Sequence, residues 1–168
     1  DFAAAKIAQL RGQPTTAMEI LDRVVERGKD EKAPGLSVPA WVVATLWRGA
    51  IARHHGDLRV ARDAYQKLLG PELAEERSAP TVRALSNLYL AEIDLAMGKS
   101  TKDVIRRLEI VRRAPTPAGE SLRIHAEWAT YLEACIKDGP KVAQKTLTGS
   151  HEKLELSFGI AMLHLSVS

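Results

Sequence analysis

Apolar residues recur three or four positions apart along most of the chain. After Gly12, one helical face collects the apolar residues Ala17, Ile20, Leu21, Val24 and Val25. The segments after Gly56 and Gly98 repeat this spacing, which predicts α-helices that each bury one face. Thr16 with Glu19, and Asp57, are expected to cap two of these helices. Residues 1–150 show no alternating strand pattern with hairpin turns, so we expect an all-α fold.

Four glycines divide the helical segments into pairs. They are Gly12, Gly56, Gly98 and Gly139, separated by 44, 42 and 41 residues. Each glycine follows a longer apolar segment and precedes a shorter one, which predicts a repeated helix–turn–helix unit. We expect four such hairpins, at residues 1–28, 37–70, 78–113 and 120–148, joined by loops rich in charge, proline and glycine.

The last part of the chain, residues 151–167, is apolar on nearly all sides. Its apolar residues fit both an alternating strand pattern and one face of a helix. We expect a C-terminal helix that covers the open end of the fourth hairpin, as terminal elements of repeat proteins do. Two alternatives are the first helix of a truncated fifth hairpin, through which the chain would self-associate, and a segment foreign to the natural protein.

Small and aromatic residues stand at fixed positions around the turn of the second hairpin. The first helix contains Gly49, the turn Gly56 and Asp57, and the second helix Ala61 with Tyr65 four positions later, before Pro71. This pattern resembles the tetratricopeptide repeat. The small residues of that family let two helices approach closely, and the aromatic residue fills the gap to the next pair.

The other hairpins match the family less well. Leu21 replaces the aromatic residue in the first hairpin, and Asp103 stands where the third should have alanine. A shift of one residue, to Val104 and Leu108, would restore the match. The resemblance implies a single domain: a right-handed superhelix, or α-solenoid, of about four antiparallel helical hairpins plus a C-terminal helix.

The amino-acid composition and net charge exclude several classes of protein. The chain has 168 residues, of which 45% are hydrophobic and 27% charged, as in an ordinary globular domain. Its net charge of +3 is small for a dedicated nucleic-acid-binding protein. A single cysteine, Cys135, excludes an internal disulfide framework and a zinc site built on several thiolates. Because the chain starts at Asp1 without a signal-type leader, we expect a fragment of a larger, cytoplasmic protein.

No residue pattern typical of catalysis is present. The sequence has no glycine-rich phosphate loop, nucleophile elbow or paired acid motif. His54 and His55 are adjacent on a predicted helix, so their side chains point about 100° apart and chelate one ion poorly. Cys135 lies among apolar residues, which favours a buried structural thiol. We therefore expect a protein that is not an enzyme and uses no metal or cofactor.

The resemblance implies a concave groove lined by the first helices. Its residues here would be Lys6, Leu46, Ala50, Arg53, Leu88, Glu92, Leu95, Ala129, Glu133 and Ile136. This mixture of apolar centres and charges of both signs suits an amphipathic helix or an extended protein segment, so we predict a scaffold or adaptor. One alternative is a ligand-sensing regulatory domain that holds a small molecule inside the superhelix. Another is an RNA-binding helical-repeat protein.

A basic run in the third hairpin offers a second candidate surface. It comprises Lys99, Lys102, Arg106, Arg107, Arg112 and Arg113. On a helical wheel Lys102, Arg106 and Arg113 cluster opposite the apolar residues. They form either a solvated face or a site for an acidic partner. Nucleic acid is not expected there, because no aromatic residues interleave for base stacking.

Overall fold

The computed structural model describes residues 1–27, 38–74, 79–114 and 120–139, with side chains from residue 125 onward in the last range. These residues form seven α-helices and a short 3-10 helix, Pro71–Leu73, and contain no β-strand. The α-helices are α1 (Phe2–Leu10), α2 (Pro14–Glu26), α3 (Ala40–His54), α4 (Leu58–Lys67), α5 (Ala79–Ala96), α6 (Thr101–Arg113) and α7 (Glu120–Asp138). The all-α expectation is confirmed for this part of the chain. The second helix of the fourth predicted hairpin and the predicted C-terminal helix, 151–167, lie outside it.

The four glycines share a left-handed backbone conformation, and three of them close their helices with the same hydrogen bonds. Their φ angles are 69° at Gly12, 80° at Gly56, 66° at Gly98 and 85° at Gly139, a left-handed conformation that glycine adopts without steric penalty. After α1, the Gly12 N–H donates to the Gln9 carbonyl (2.9 Å) and the Gln13 N–H to the Ala8 carbonyl (3.0 Å). The same pair of hydrogen bonds, the Schellman motif, closes α3 and α5. The regular spacing of glycines in the sequence therefore reflects one turn that recurs after α1, α3 and α5.

The chain divides into two compact units, Asp1–Ala79 and a second that begins at Pro80. In the first unit α1 packs against α2, α2 against α3, and α3 against α4. The core is built mainly from small side chains: Ala5 and Ala8 of α1, Ala17, Leu21 and Val24 of α2, and Ala40, Ala44 and Ile51 of α3. Alanine at these positions lets the helix axes approach closely.

Within the first unit, α3 and α4 meet at Gly49 and Tyr65. A methyl group added to Gly49 would lie 2.8 Å from Cζ and 2.9 Å from Cε1 of the Tyr65 ring, and that ring is fully buried. Ala61 of α4 is also fully buried. Only glycine leaves room for the ring, so the small residue lets α3 and α4 approach as expected. Tyr65 packs on Gly49 within the same hairpin, and its contact with the next pair stays a prediction.

The second unit contains a core shared by three helices. Leu88 and Ala91 of α5 join Val104, Leu108 and Val111 of α6 and Ala129 of α7. Val104 and Leu108 are buried while Asp103 is exposed, which confirms the one-residue shift expected in this hairpin. The shift arises because α6 begins three residues after its turn glycine, whereas α2 and α4 begin two residues after theirs.

The two predicted N-terminal caps have different outcomes. The Asp57 carboxylate accepts a hydrogen bond from the Val60 N–H (3.1 Å) and caps α4 as expected. The prediction that Thr16 and Glu19 form a capping box is wrong, because α2 begins at Pro14 and both residues lie inside the helix. Proline at the first helical position has its φ angle fixed near the helical value and starts the helix without a side-chain cap.

Candidate interaction surfaces

In the first unit, the predicted groove residues lie on partly open helix faces. Leu46, Ala50 and Arg53 are half-buried on α3, and Lys6 is half-buried on α1. No helix of the first unit covers them fully. That these residues line a groove and bind a partner stays a prediction.

A tryptophan joins the first helices of this unit. The Trp47 indole N–H of α3 donates to Gln9 Oε1 of α1 (3.0 Å), and the Trp47 ring stacks on Phe2 with centroids 6.2 Å apart. An ion pair from Arg48 to Asp22 (2.7 Å) also holds α3 to α2. Trp47 is thus occupied by contacts within the unit.

The outer face of α1 carries exposed apolar side chains. Ile7 is 49% exposed and Leu10 61% exposed, about one turn apart on the same side of the helix. Ala3, one turn before Ile7, is also exposed. This apolar row lies beside Lys6 but was not part of the predicted groove.

In the second unit, three of the predicted groove residues are internal. Leu88 and Ala129 belong to the hydrophobic core, and Glu133 is buried in an ion-pair cluster. Their assignment to an open groove is therefore wrong. The reason is that the core is shared by α5, α6 and α7, so the α5 and α7 faces predicted to be open are the faces that pack. Glu92, Leu95 and Ile136 keep partial or full exposure.

Glu92 is joined to the next first helix by a second tryptophan. The Trp128 indole N–H of α7 donates to Glu92 Oε1 of α5 (2.7 Å). The two indole bonds span similar sequence separations, 38 residues for Trp47 and Gln9 and 36 for Trp128 and Glu92. Sequence reasoning missed both contacts. The available signal was a tryptophan placed nearly one repeat after a glutamine or glutamate.

Two arginines of the basic run, the half-buried Arg107 and the exposed Arg112, pair with buried carboxylates of neighbouring helices. The Arg107 side chain donates to Asp94 of α5 (3.0 Å) and to Asn87 Oδ1 (3.2 Å). Arg112 pairs with Glu133 of α7, which also pairs with Lys137 (2.6 Å). Both carboxylates are almost completely buried. Arg107 and Arg112 border the apolar stripe of α6 on opposite sides, so they fasten α6 to α5 and to α7.

The remaining cations of α6 point outward. Lys102, Arg106 and Arg113 are exposed, as their position on the helical wheel predicts. None of the three forms an ion pair with another residue in the described part of the chain. On the same face lies Ile110, which is 45% exposed.

Cys135 is half-buried on α7 and contacts a tyrosine one turn earlier. Its hydrogen bond with Tyr131 raises the pKa of the tyrosine hydroxyl above the ordinary value of 10.0, and the nearby thiol charge and partial burial act in the same direction. The Tyr131 ring also stacks on Trp128, with centroids 5.3 Å apart. The Cys135 thiol thus lies in a row of contacting side chains along α7, next to Tyr131, which in turn stacks on Trp128.

The histidine pair is exposed at the end of α3. The rings of His54 and His55 meet edge to face with centroids 5.3 Å apart. Among the described residues, no group of three His, Cys, Asp or Glu side chains is arranged to hold a metal ion. Nor is any helix in the described ranges both long and apolar enough to cross a bilayer.

Compared with protein-family models, with curated proteins and with solved structures, the chain shows no match in any of the three. We therefore infer its function from the contacts and the exposed side chains of its own helices.

Proposed function

We propose that the chain is a helical-repeat scaffold or adaptor that binds a segment of a partner protein along its first helices. One observation carries the proposal. Among the described residues, four large hydrophobic side chains are exposed, and three of them, Ile7, Leu10 and Leu95, lie on the first helices α1 and α5. Apolar side chains kept in water on one class of helix are typical of an interaction surface.

The partner segment follows from the residues around these side chains. Ile7 and Leu10 stand beside Lys6 on α1, and Leu95 stands one turn after Glu92 on α5. An amphipathic helix matches either surface, that of α1 or that of α5, because its apolar side would cover the exposed side chains and its polar edge would meet the neighbouring charge.

The proposal includes a tetratricopeptide-like stacking of the hairpins into a right-handed superhelix. It is supported by the recurrence of one glycine turn and by the close contact of Gly49 with Tyr65. It is also supported by the tryptophan that links consecutive first helices within each unit. Small-angle X-ray scattering would test the stacking, since an elongated superhelix has a larger radius of gyration than a compact bundle of equal length.

Selection of binding peptides tests the function directly. A phage-displayed library of random helical peptides would be selected on the immobilised chain, and the enriched peptides measured by fluorescence anisotropy. We expect Leu10→Glu or Leu95→Glu to weaken binding about tenfold, because each places a charge where an apolar side chain should be covered. Thr16→Glu, an exposed position on the second helix α2 that lies outside these surfaces, is the control and should leave binding unchanged.

Circular dichroism of each variant would show that the helices are intact. Failure to enrich any peptide would contradict the proposal. Enriched peptides that bind both first-helix variants as tightly as the original chain would place the interaction elsewhere.

A further inference from the structure

One face of α6 combines positive charge with an exposed apolar side chain. Lys102, Arg106, Ile110 and Arg113 stand at positions i, i+4, i+8 and i+11 and are all exposed. This spacing places them in one row along the helix, about 16 Å long. We call these four residues the basic stripe. It lies on the second helix α6, whereas the exposed apolar side chains Ile7, Leu10 and Leu95 lie on first helices.

The direction of the basic stripe is fixed by the buried ion pairs on the other side of α6. Arg107 is held by Asp94 and Asn87, and Arg112 by Glu133. Rotation of α6 about its axis would break both sets of contacts and leave buried carboxylates unpaired. The stripe is therefore presented on a rigid helix, which lowers the entropic cost of binding.

We propose that the basic stripe docks an acidic amphipathic helix of a partner protein. The partner helix places an apolar residue against Ile110 and carboxylates, at intervals of one turn, opposite Lys102, Arg106 and Arg113. Charge complementarity sets the register and speeds association. Coverage of Ile110 supplies contact that does not depend on salt concentration.

The surroundings of the stripe favour an acidic helix over nucleic acid. On the helical wheel of α6, Asp103 and Glu109 border the stripe on either side. A phosphate backbone, with its continuous negative charge, would be repelled by both carboxylates. It would also leave Ile110 without an apolar contact. A helix with separated carboxylates and one apolar residue avoids both penalties.

Designed peptides provide the test. The probe is a fluorescein-labelled helical peptide with glutamates at i, i+4 and i+11 and leucine at i+8, together with a second peptide that carries the pattern in the reverse direction. Alanine and glutamine fill the other positions. A control peptide has the same composition, with the leucine moved to the opposite face. Fluorescence anisotropy with the full chain should show binding of at least one patterned peptide and weaker binding of the control peptide.

Substitutions then identify the surface. Arg106→Glu should weaken peptide binding about tenfold, because it removes one attraction and introduces a repulsion. Ile110→Ser should weaken binding about threefold, and this loss should persist in high salt, since it reflects lost apolar contact. Arg59→Glu, an exposed cation on the second helix α4, is the matched control and should change nothing.

Three results would overturn the proposal. The first is that neither patterned peptide binds. The second is binding that Arg106→Glu leaves unaffected. The third is binding of an oligothymidine as tight as that of the peptides, with no effect of Ile110→Ser, which would show attraction for any polyanion. Because Leu10→Glu and Leu95→Glu leave the stripe intact, they separate a failure here from a failure of the first-helix surface.

Discussion

Substitution of Gly49 by alanine tests the contact that joins α3 to α4. The added methyl carbon would lie 2.8, 2.9 and 3.2 Å from three carbons of the Tyr65 ring. Favourable carbon–carbon contacts lie at about 3.5–4.0 Å, so the ring would have to move by roughly 0.7 Å or more. Tyr65 is fully buried, and the core around it offers no space for that movement.

Two opposing effects determine how much Gly49→Ala changes the free energy of unfolding. Overpacking of a buried contact costs about 1–3 kcal/mol. Replacing glycine by alanine inside a helix returns about 0.5–1 kcal/mol, because alanine loses less backbone entropy on folding. We therefore expect Gly49→Ala to lower the free energy of unfolding by about 1–2 kcal/mol. Urea denaturation followed by far-ultraviolet circular dichroism measures this change.

The Tyr65→Leu background separates the clash from every other effect of the substitution. Leucine has no ring at the contact, so Gly49→Ala should there become neutral or stabilising by about 0.5 kcal/mol. The double-mutant cycle should thus give a coupling free energy of about 1–2.5 kcal/mol between the two positions. Equal effects of Gly49→Ala in both backgrounds would refute the close contact and, with it, the pairing of α3 with α4.

Three further substitutions test other contacts. Arg107→Met should lower the free energy of unfolding by about 3 kcal/mol, because it leaves the buried Asp94 carboxylate without its cation, and Asp94→Leu in the same chain should recover most of the loss in chemical denaturation. Cys135→Ala should lower the pKa of Tyr131 toward 10.0 in a tyrosinate absorbance titration, since the hydrogen bond that favours the neutral phenol is lost. Asp57→Ala should cost about 1 kcal/mol in urea denaturation through loss of the α4 cap, and an unchanged midpoint would contradict the cap.

The fold class and the helix pairs could be predicted because each depends on local signals. The turn glycines are needed wherever the chain takes a positive φ angle, and their spacing is visible without any knowledge of packing. The resemblance to the tetratricopeptide repeat implied a small residue at Gly49 for close helix packing, but it did not imply the contact of Gly49 with Tyr65 in the same hairpin.

The open faces of the second unit were harder to predict. Leu88 and Ala129 were assigned to a groove by their position on single helices, but their burial depends on how three helices share one core. Glu133 gave the same difficulty, because a glutamate is normally exposed and its burial depends on Arg112 and Lys137 approaching it. Periodicity within one helix carries no information about such contacts between helices.

The two units bring their helices together by different chemistry. The first relies on alanine, glycine and one buried ring, whereas the second places Asp94 and Arg107 in the seam between α5 and α6. Asp94 lies four residues before Gly98, as Ala52 lies four residues before Gly56. With the one-residue shift after the turn, Arg107 corresponds to Ala64. Both alanines are buried in the second hairpin. A buried ion pair adds little net stability, but loss of either partner is strongly destabilising. The ion pairs of the second unit therefore fix the rotation of α6 about its axis and make these positions less tolerant of substitution. This rotation keeps the basic stripe exposed on the side of α6 opposite its buried apolar residues.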